Sequence, residues 1–209
     1  MTLYDFAPAP NPRRVRIFLA EKGIQVETVQ VNLRSREHFD DAFRGKVPQL
    51  IVPALELDDG TILTESTAIC HYFEALQPQP ALFGKSPLEV GTIEMWNRRI
   101  EIDGFLAAAD ALRNSSERMK DRAVAGPVNY AQIPELAQRG KARAAAFFDV
   151  LDERLAKSTY VAGDAYSMAD INALVMVDFS GWVDVKPTPA QTHLARWHAL
   201  VSARPSAKA

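Results

Sequence analysis

The sequence predicts an α/β domain followed by an all-α domain. Three observations carry that prediction: a strand–helix–strand opening, an Asp-Gly hairpin signal running into a helix, and a Pro-rich break beyond which only helical periodicity remains. The chain has 209 residues, enough for one large or two small domains, and its 47% hydrophobic and 24% charged residues are ordinary for a globular protein.

Thr2 to Asp5 reads as a short strand, followed by a loop carrying Pro8, Pro10 and Pro12. A helix comes next, with Val15, Phe18 and Leu19 as its apolar stripe and Gly23 as its stop. Val29 and Val31 alternate around Gln30 as a second strand, so the opening is a βαβ unit and its two strands are parallel. Residues 36–44 show no clear period. Ala54–Leu57 and Thr61–Leu63 then flank Asp59-Gly60 as an antiparallel hairpin. Glu65 to Leu76 fits a helix with Ile69, Tyr72 and Phe73 on one face.

Gln77-Pro78-Gln79-Pro80 breaks that helix, and the Pro-rich stretch to Pro87 marks a domain boundary. The division expected is residues 1–77, a linker over 78–86, and residues 87–209. Past the boundary come helices built on Ile93, Trp96 and Ile100, on Ala144, Phe147, Phe148, Leu151 and Leu155, on Ile171, Leu174 and Val175, and on Leu194, Trp197, Leu200 and Val201. The first of these is expected to run on to about Ser116 as one long helix. Ser167 and Asp170 form a capping-box pair ahead of Ile171, a structural signal.

The formal charge is −2, from 24 Lys and Arg spread among 26 Asp and Glu, which leaves no electrostatic footprint for nucleic acid. MTLYDF lacks the features of a signal peptide, and no apolar run reaches the roughly 18 residues of a membrane helix. A cytoplasmic protein is expected. Its single cysteine, Cys70, leaves no internal disulfide or CxxC pair and reads as a small buried hydrophobe. His71 and His198 lack ligand partners at metal spacing, so no metal is expected. Trp96, Trp182 and Trp197 supply core or interface area, Trp182 with the option of bordering a substrate pocket.

Within Val52–Ile69 the residues suggest a ligand. Pro53 suits the start of a strand, with a cis Val52-Pro53 bond as one way to make the turn. Val52 can then pair its backbone with an extended peptide. Glu65 and Ser66 stand where a helix begins, and its free N–H groups and positive potential suit a carboxylate. Glu65 suits an ammonium, so the pair fits an α-amino acid end; helix capping accounts for Ser66 alone.

The run VPALELDDGTILTESTAI resembles the glutathione-binding motif of cytosolic glutathione transferases: a cis-proline strand, an Asp-Gly hairpin, and Glu-Ser opening a helix. The resemblance extends to PRRVRIFLAEKGI and YVAGDAYSMADI, while EMWNRRIE and LARWHALVSARPS are most similar to the Gtt2-like, theta-related branch. It implies a thioredoxin-like first domain that binds glutathione and an all-helical second domain that holds an apolar electrophile, the electrophile site lying between them. It also implies glutathione as co-substrate, detoxification as the role and a homodimer. Val52 would pair with the cysteinyl backbone of glutathione, after Pro53, and Glu65 and Ser66 would hold the γ-glutamyl end. His38 and Lys46 would face the glycyl carboxylate, or stand as solvated surface residues.

Members of that family activate the thiol with a Tyr, Ser or Cys near the first helix, and here the Ser or Cys position is Asn11. At the unperturbed pKa of about 8.5 roughly 3% of a thiol is ionised at pH 7, so the activating group matters. Asn11 either caps the first helix or donates an amide hydrogen bond to the thiolate. Asn114 and Ser115 are the other candidates, holding a water near the sulfur; the histidine that similar members carry near Asn114 is missing. Tyr4 reads as core or surface. Conjugation is the reaction the resemblance implies first. Isomerisation, dehalogenation, ether cleavage and non-catalytic glutathione binding are the alternatives.

Overall fold

The computed structural model describes all residues, 1–209. Strand β1 (Thr2–Asp5) leads through a Pro-rich loop into α1 (Pro10–Lys22) and returns as β2 (Glu27–Gln30), parallel to β1. Gly23 ends α1 with φ of 66°, a left-handed turn that glycine adopts without a Cβ clash. Strand β2 is a solvent-exposed edge, and Val31, just past its end, is the residue that is buried.

The 36–44 segment, which lacks a sequence period, forms a 3-10 turn at Glu37–Phe39 and the helix α2 (Asp41–Lys46). Six residues burying only Phe43 are too few to leave a periodic signature. Strands β3 (Ala54–Glu56) and β4 (Ile62–Thr64) flank the hairpin, and α3 (Ser66–Leu76) completes this part of the fold. The sheet order is β2-β1-β3-β4, with β3 antiparallel to both neighbours. Ile17, Phe18, Leu55, Ile69 and Phe73 are buried, so α1 and α3 put their apolar faces into one core with the sheet.

The chain divides into two compact units, one of residues 1–80 with 124–129 and Ala209, the other of residues 81–123 and 130–208. The second is helical: α4 (Pro87–Arg99), α5 (Leu106–Ser115), α6 (Pro134–Leu155), α7 (Met168–Ser180) and α8 (Thr192–Ser202). The long helix expected from Ile93 to Ser116 is interrupted by a π-helical stretch, Ile100–Phe105, which joins α4 to α5. A Cβ on Gly104 there would come 2.9 Å from Met176 and Phe147, so the glycine lets this stretch pack directly on its neighbours.

Helices α5 and α6 approach each other through Gly140, where an added Cβ would lie 2.4 Å from the Ala107 carbonyl oxygen and 2.9 Å from Ala111 N. Backbone on the far side cannot give way as a flexible side chain can. Gly140→Ala is therefore expected to destabilise the protein by about 1–3 kcal/mol despite the better helix propensity of alanine, read as a lowered midpoint in urea unfolding. Ser86 and Glu89 form a capping box at α4, and Ser167 and Asp170 the expected one at α7. Asp170 is fully buried; it accepts from Val161 N–H at 2.9 Å, Trp197 Nε1–H at 2.8 Å and Ser167 N–H at 3.0 Å. No helix is long and apolar enough to cross a membrane.

Candidate functional site

Sheet register brings Val52, Pro53, Glu65 and Ser66 to one end of the sheet. Ala54 pairs with Tyr4 of β1 on one side and with Thr64 of β4 on the other. Because β3 is antiparallel to both, the end of β1, the start of β3 and the end of β4 lie together. Val52 and Pro53 enter at that end, Glu65 and Ser66 leave from it, and the loop from Phe6 into α1 starts there. Ligand crevices in α/β sheets form outside the carboxyl ends of the parallel strands, and this is that end of β1.

The Val52-Pro53 bond is cis. The Val52 side chain is buried with Tyr4, Val31, Phe43, Val47 and Ala54. Its backbone precedes the paired register, and neither its N–H nor its C=O joins the backbone hydrogen bonds of the loops. An edge of this kind can accept an extended peptide by strand addition.

Glu65 is the N-cap of α3 but makes no side-chain capping bond, and its backbone sits at φ 70°, ψ 120°. A non-glycine residue there stores on the order of 1–3 kcal/mol of strain, a cost that collects at ligand sites. Its carboxylate is exposed. The buried Ser66 does not cap α3 either: its hydroxyl donates to the Asn11 carbonyl at 3.0 Å. Only from Ile69, which donates to Glu65 O at 3.0 Å, does the helix satisfy its own N–H groups, so the donors of its first turn face outward. The capping account of Ser66 is overturned.

Asn11 is not a cap. Helix α1 begins at Pro10, its N-cap is Ala9, and Asn11 falls in the first turn. Pro10 and Pro12 carry no N–H, so the Asn11 N–H is the one donor among the first three helical positions. Its side-chain amide, half-exposed, is not used in capping.

His38 is buried beside Phe39, with ring centroids 4.2 Å apart, and is therefore no surface residue. Lys46 is a half-exposed residue with two side-chain partners. Its ammonium donates to Glu56 Oε2 at 2.7 Å and to the Tyr4 hydroxyl at 2.9 Å, and Tyr4 itself donates to Glu56 at 2.5 Å. The Lys46 hydrogen bonds hold Glu56 below the usual carboxylate range, the Glu56 bond raises Lys46, and burial raises Tyr4. These three side chains tie α2 to the sheet, with the Lys46 side chain still about half exposed.

Asn114 and Ser115 are also committed within the helical unit. Asn114, 5% exposed, donates to the Asp110 carbonyl at 2.9 Å and accepts from Ile133 N–H at 2.9 Å; Ser115 donates to the Ala111 carbonyl at 2.7 Å. Asn114 pins the start of α6 to α5, while Ser115 is exposed. Trp182 is half exposed, edge-on to Phe179. Cys70 is fully buried, which pushes its thiol well up. No group of three or more His, Cys, Asp or Glu side chains is placed to hold a metal.

One cluster at this end was not read from the sequence: Asp5, Arg16 and Gln30. Its signal was a carboxylate closing an otherwise uncharged strand, TLYD, where a buried charge demands partners. The partners come from positions 11 and 25 residues away, which no local pattern announces.

Comparison with known proteins shows the family. Residues 3–81 match the family model described as glutathione S-transferase, N-terminal domain, and residues 119–205 the one described as glutathione S-transferase, C-terminal domain. The chain is 36% identical to glutathione S-transferase 2 of Saccharomyces cerevisiae over 211 residues, spanning 100% of this chain and 88% of that protein. The crystal structure of Gtt2 from Saccharomyces cerevisiae superposes with a TM-score of 0.90 at 36% identity, over 100% of this chain and 99% of that one. A maleylacetoacetate isomerase of Pseudomonas aeruginosa is 42% identical over 90 residues, which is 42% of each protein. The chain belongs to the cytosolic glutathione S-transferase superfamily, in its Gtt2-like branch, with a thioredoxin-like first domain and a helical second one.

Proposed function

We propose that the protein binds glutathione at the end of the sheet where Val52, Pro53, Glu65 and Ser66 meet, and transfers its thiolate to hydrophobic electrophiles. The observation that carries this reading is the pairing of an open backbone edge at Val52 with an uncapped α3 N-terminus beside the strained, exposed Glu65. The edge suits a peptide body. The helix end suits a carboxylate, and Glu65 an ammonium. His38 belongs to this proposal as the residue toward the glycyl end, and Lys46 is left out because Glu56 and Tyr4 hold it.

Asn11 is the sulfur-side group. With proline on either side, it offers its backbone N–H and its side-chain amide as two donors at a helix N-terminus, where positive potential favours a thiolate. It stabilises the anion without removing the proton. Asn11→Ala is expected to raise the titration midpoint of the bound thiol by about one unit, which is tenfold less thiolate at a fixed pH. Thiolate absorbance against pH checks it, and an unchanged midpoint would sink this role.

The reaction is tested with glutathione and a reactive aryl halide. Conjugate formation supports the transferase reading; ligand-induced thermal stabilisation without turnover of any electrophile favours a binding module. A glutathione-dependent isomerase is the second reading, favoured by the segment similar to maleylacetoacetate isomerase. Conjugation consumes one thiol per product, whereas isomerisation returns it. Thiol assay during turnover separates the two.

A homodimer and a cytoplasmic location complete the proposal. Met95, Ile102 and Leu106 are exposed along α4, the π stretch and α5, beside a cleft of about 240 Å³ lined by Arg99, Asp103, Arg143, Ala146, Phe147 and Val150. Light scattering of the purified protein reads the oligomer. The cytoplasm is where glutathione is kept reduced.

A further inference from the structure

Asp5 ends β1 with 1% of its surface exposed. Arg16 Nη1 donates to its Oδ1 at 2.6 Å and Gln30 Nε2 to its Oδ2 at 2.6 Å. The same two side chains reach onward to the loop that follows β1. Gln30 Oε1 accepts from Ala7 N–H at 2.9 Å, and Arg16 Nη2 donates to the Ala7 carbonyl at 2.9 Å. Both backbone groups of Ala7 are therefore tied by side chains, one from β2 and one from α1. Ala9 N–H closes the loop on the Phe6 carbonyl at 2.8 Å.

This loop has little other means of holding its shape. Pro8, Pro10 and Pro12 fix φ but supply no N–H, so the chain from Phe6 into α1 cannot secure itself with a backbone ladder. It delivers Asn11, whose carbonyl is met from the other side by the Ser66 hydroxyl. A donor to a developing charge loses its value when it is misplaced by more than about 0.5 Å.

We infer that Asp5, Arg16 and Gln30 are positioning residues, a clamp on Ala7 that holds Asn11 at the sulfur of bound glutathione. The inference rests on the proposed role of Asn11. Arg16 is suited to it because a guanidinium can bond two acceptors at fixed angles, here Asp5 and the Ala7 carbonyl, whereas an ammonium cannot reproduce that fork. Asp5 holds both arms in place and does not itself touch the loop.

The test uses Gln30→Val, Arg16→Met and Arg16→Lys in the full chain, with and without Asn11→Ala. Gln30 lies on the exposed edge strand, so its replacement by a good strand former keeps the fold if Arg16→Met does not. Gln30→Val and Arg16→Met are each expected to raise the midpoint of the bound thiol by about one unit and lower kcat about tenfold. Glutathione affinity should change less than about twofold, because Val52, Glu65 and Ser66 are untouched. Arg16→Lys should recover part of the loss. Joined to Asn11→Ala, the clamp substitutions should shift the midpoint less than they do alone, because only the backbone N–H at position 11 is then left to misplace.

A clamp variant with an unmoved midpoint overturns the inference, as does one whose shift is the same with alanine at position 11 or one that weakens affinity alone. The two levels fail differently. An unmoved midpoint in Asn11→Ala removes the sulfur role of Asn11 and the clamp with it. A shift in Asn11→Ala with none in Gln30→Val and Arg16→Met removes the clamp and leaves the role of Asn11 standing.

Discussion

Glu65→Ala is expected to weaken glutathione binding roughly 10- to 100-fold while leaving the unliganded protein as stable as before. A hydrogen bond to a charged group contributes about 1.5–3 kcal/mol, and every 1.4 kcal/mol is tenfold in affinity. The Glu65 side chain is exposed and makes no capping bond, so its loss removes no packing. Alanine keeps the same positive φ at similar strain, which holds the melting temperature within a degree or two. Ser66→Ala should weaken binding comparably and also loosen Asn11, since its hydroxyl serves the Asn11 carbonyl. Calorimetric titration with glutathione, beside thermal unfolding of the free protein, measures both; affinity within twofold of the parent would remove Glu65 from the site.

The second large effect lies far from that chemistry. Asp170 is a fully buried acceptor for Val161, Trp197 and Ser167. Asp170→Ala leaves those donors buried without a partner, at about 1–3 kcal/mol each before relaxation, so a net loss of about 3–5 kcal/mol is expected. At roughly 2–4 °C per kcal/mol for a chain of this size, the melting temperature should fall by about 6–20 °C. Burial raises the Asp170 carboxyl to about 6, above its value of about 3.9 in the unfolded chain, against the pull of its donors. Between those values the folded protein holds a proton that the unfolded chain has released. Its contribution to stability is therefore complete below about pH 3.9 and is lost as pH rises through about 6. Asp170→Asn should flatten that part of the stability profile, and urea unfolding from pH 4 to 7 reads it.

What could be read without coordinates was whatever repeats locally. Strand β1, the Gly23 stop, the Asp59-Gly60 hairpin and the Ser167–Asp170 box each carry their signal within a few residues, and the structure has all of them. Helix α2 was too short for a period to emerge, and the π stretch at Ile100–Phe105 keeps an apolar pattern close to that of an ordinary helix. Side-chain partners were the least legible. The Lys46 ammonium bonds Glu56 and Tyr4, ten and 42 residues away. Ser66 looked like a cap until its hydroxyl was found on Asn11, 55 residues back. The Asn114 amide meets Asp110 and Ile133, the second of them 19 residues away. Such bonds depend on which elements the fold brings together, and hydrogen-bonding side chains are too common for spacing alone to choose among them.

The burial of Cys70 has a practical side. With its one native thiol sealed in the core and held protonated, the folded protein contributes no thiolate of its own across the working pH range. Any ionising sulfur seen on adding glutathione belongs to the ligand, and alkylating reagents label the protein only as it unfolds. The molecule is thus a dark background for sulfur spectroscopy, and labelling of Cys70 doubles as a clock for its opening.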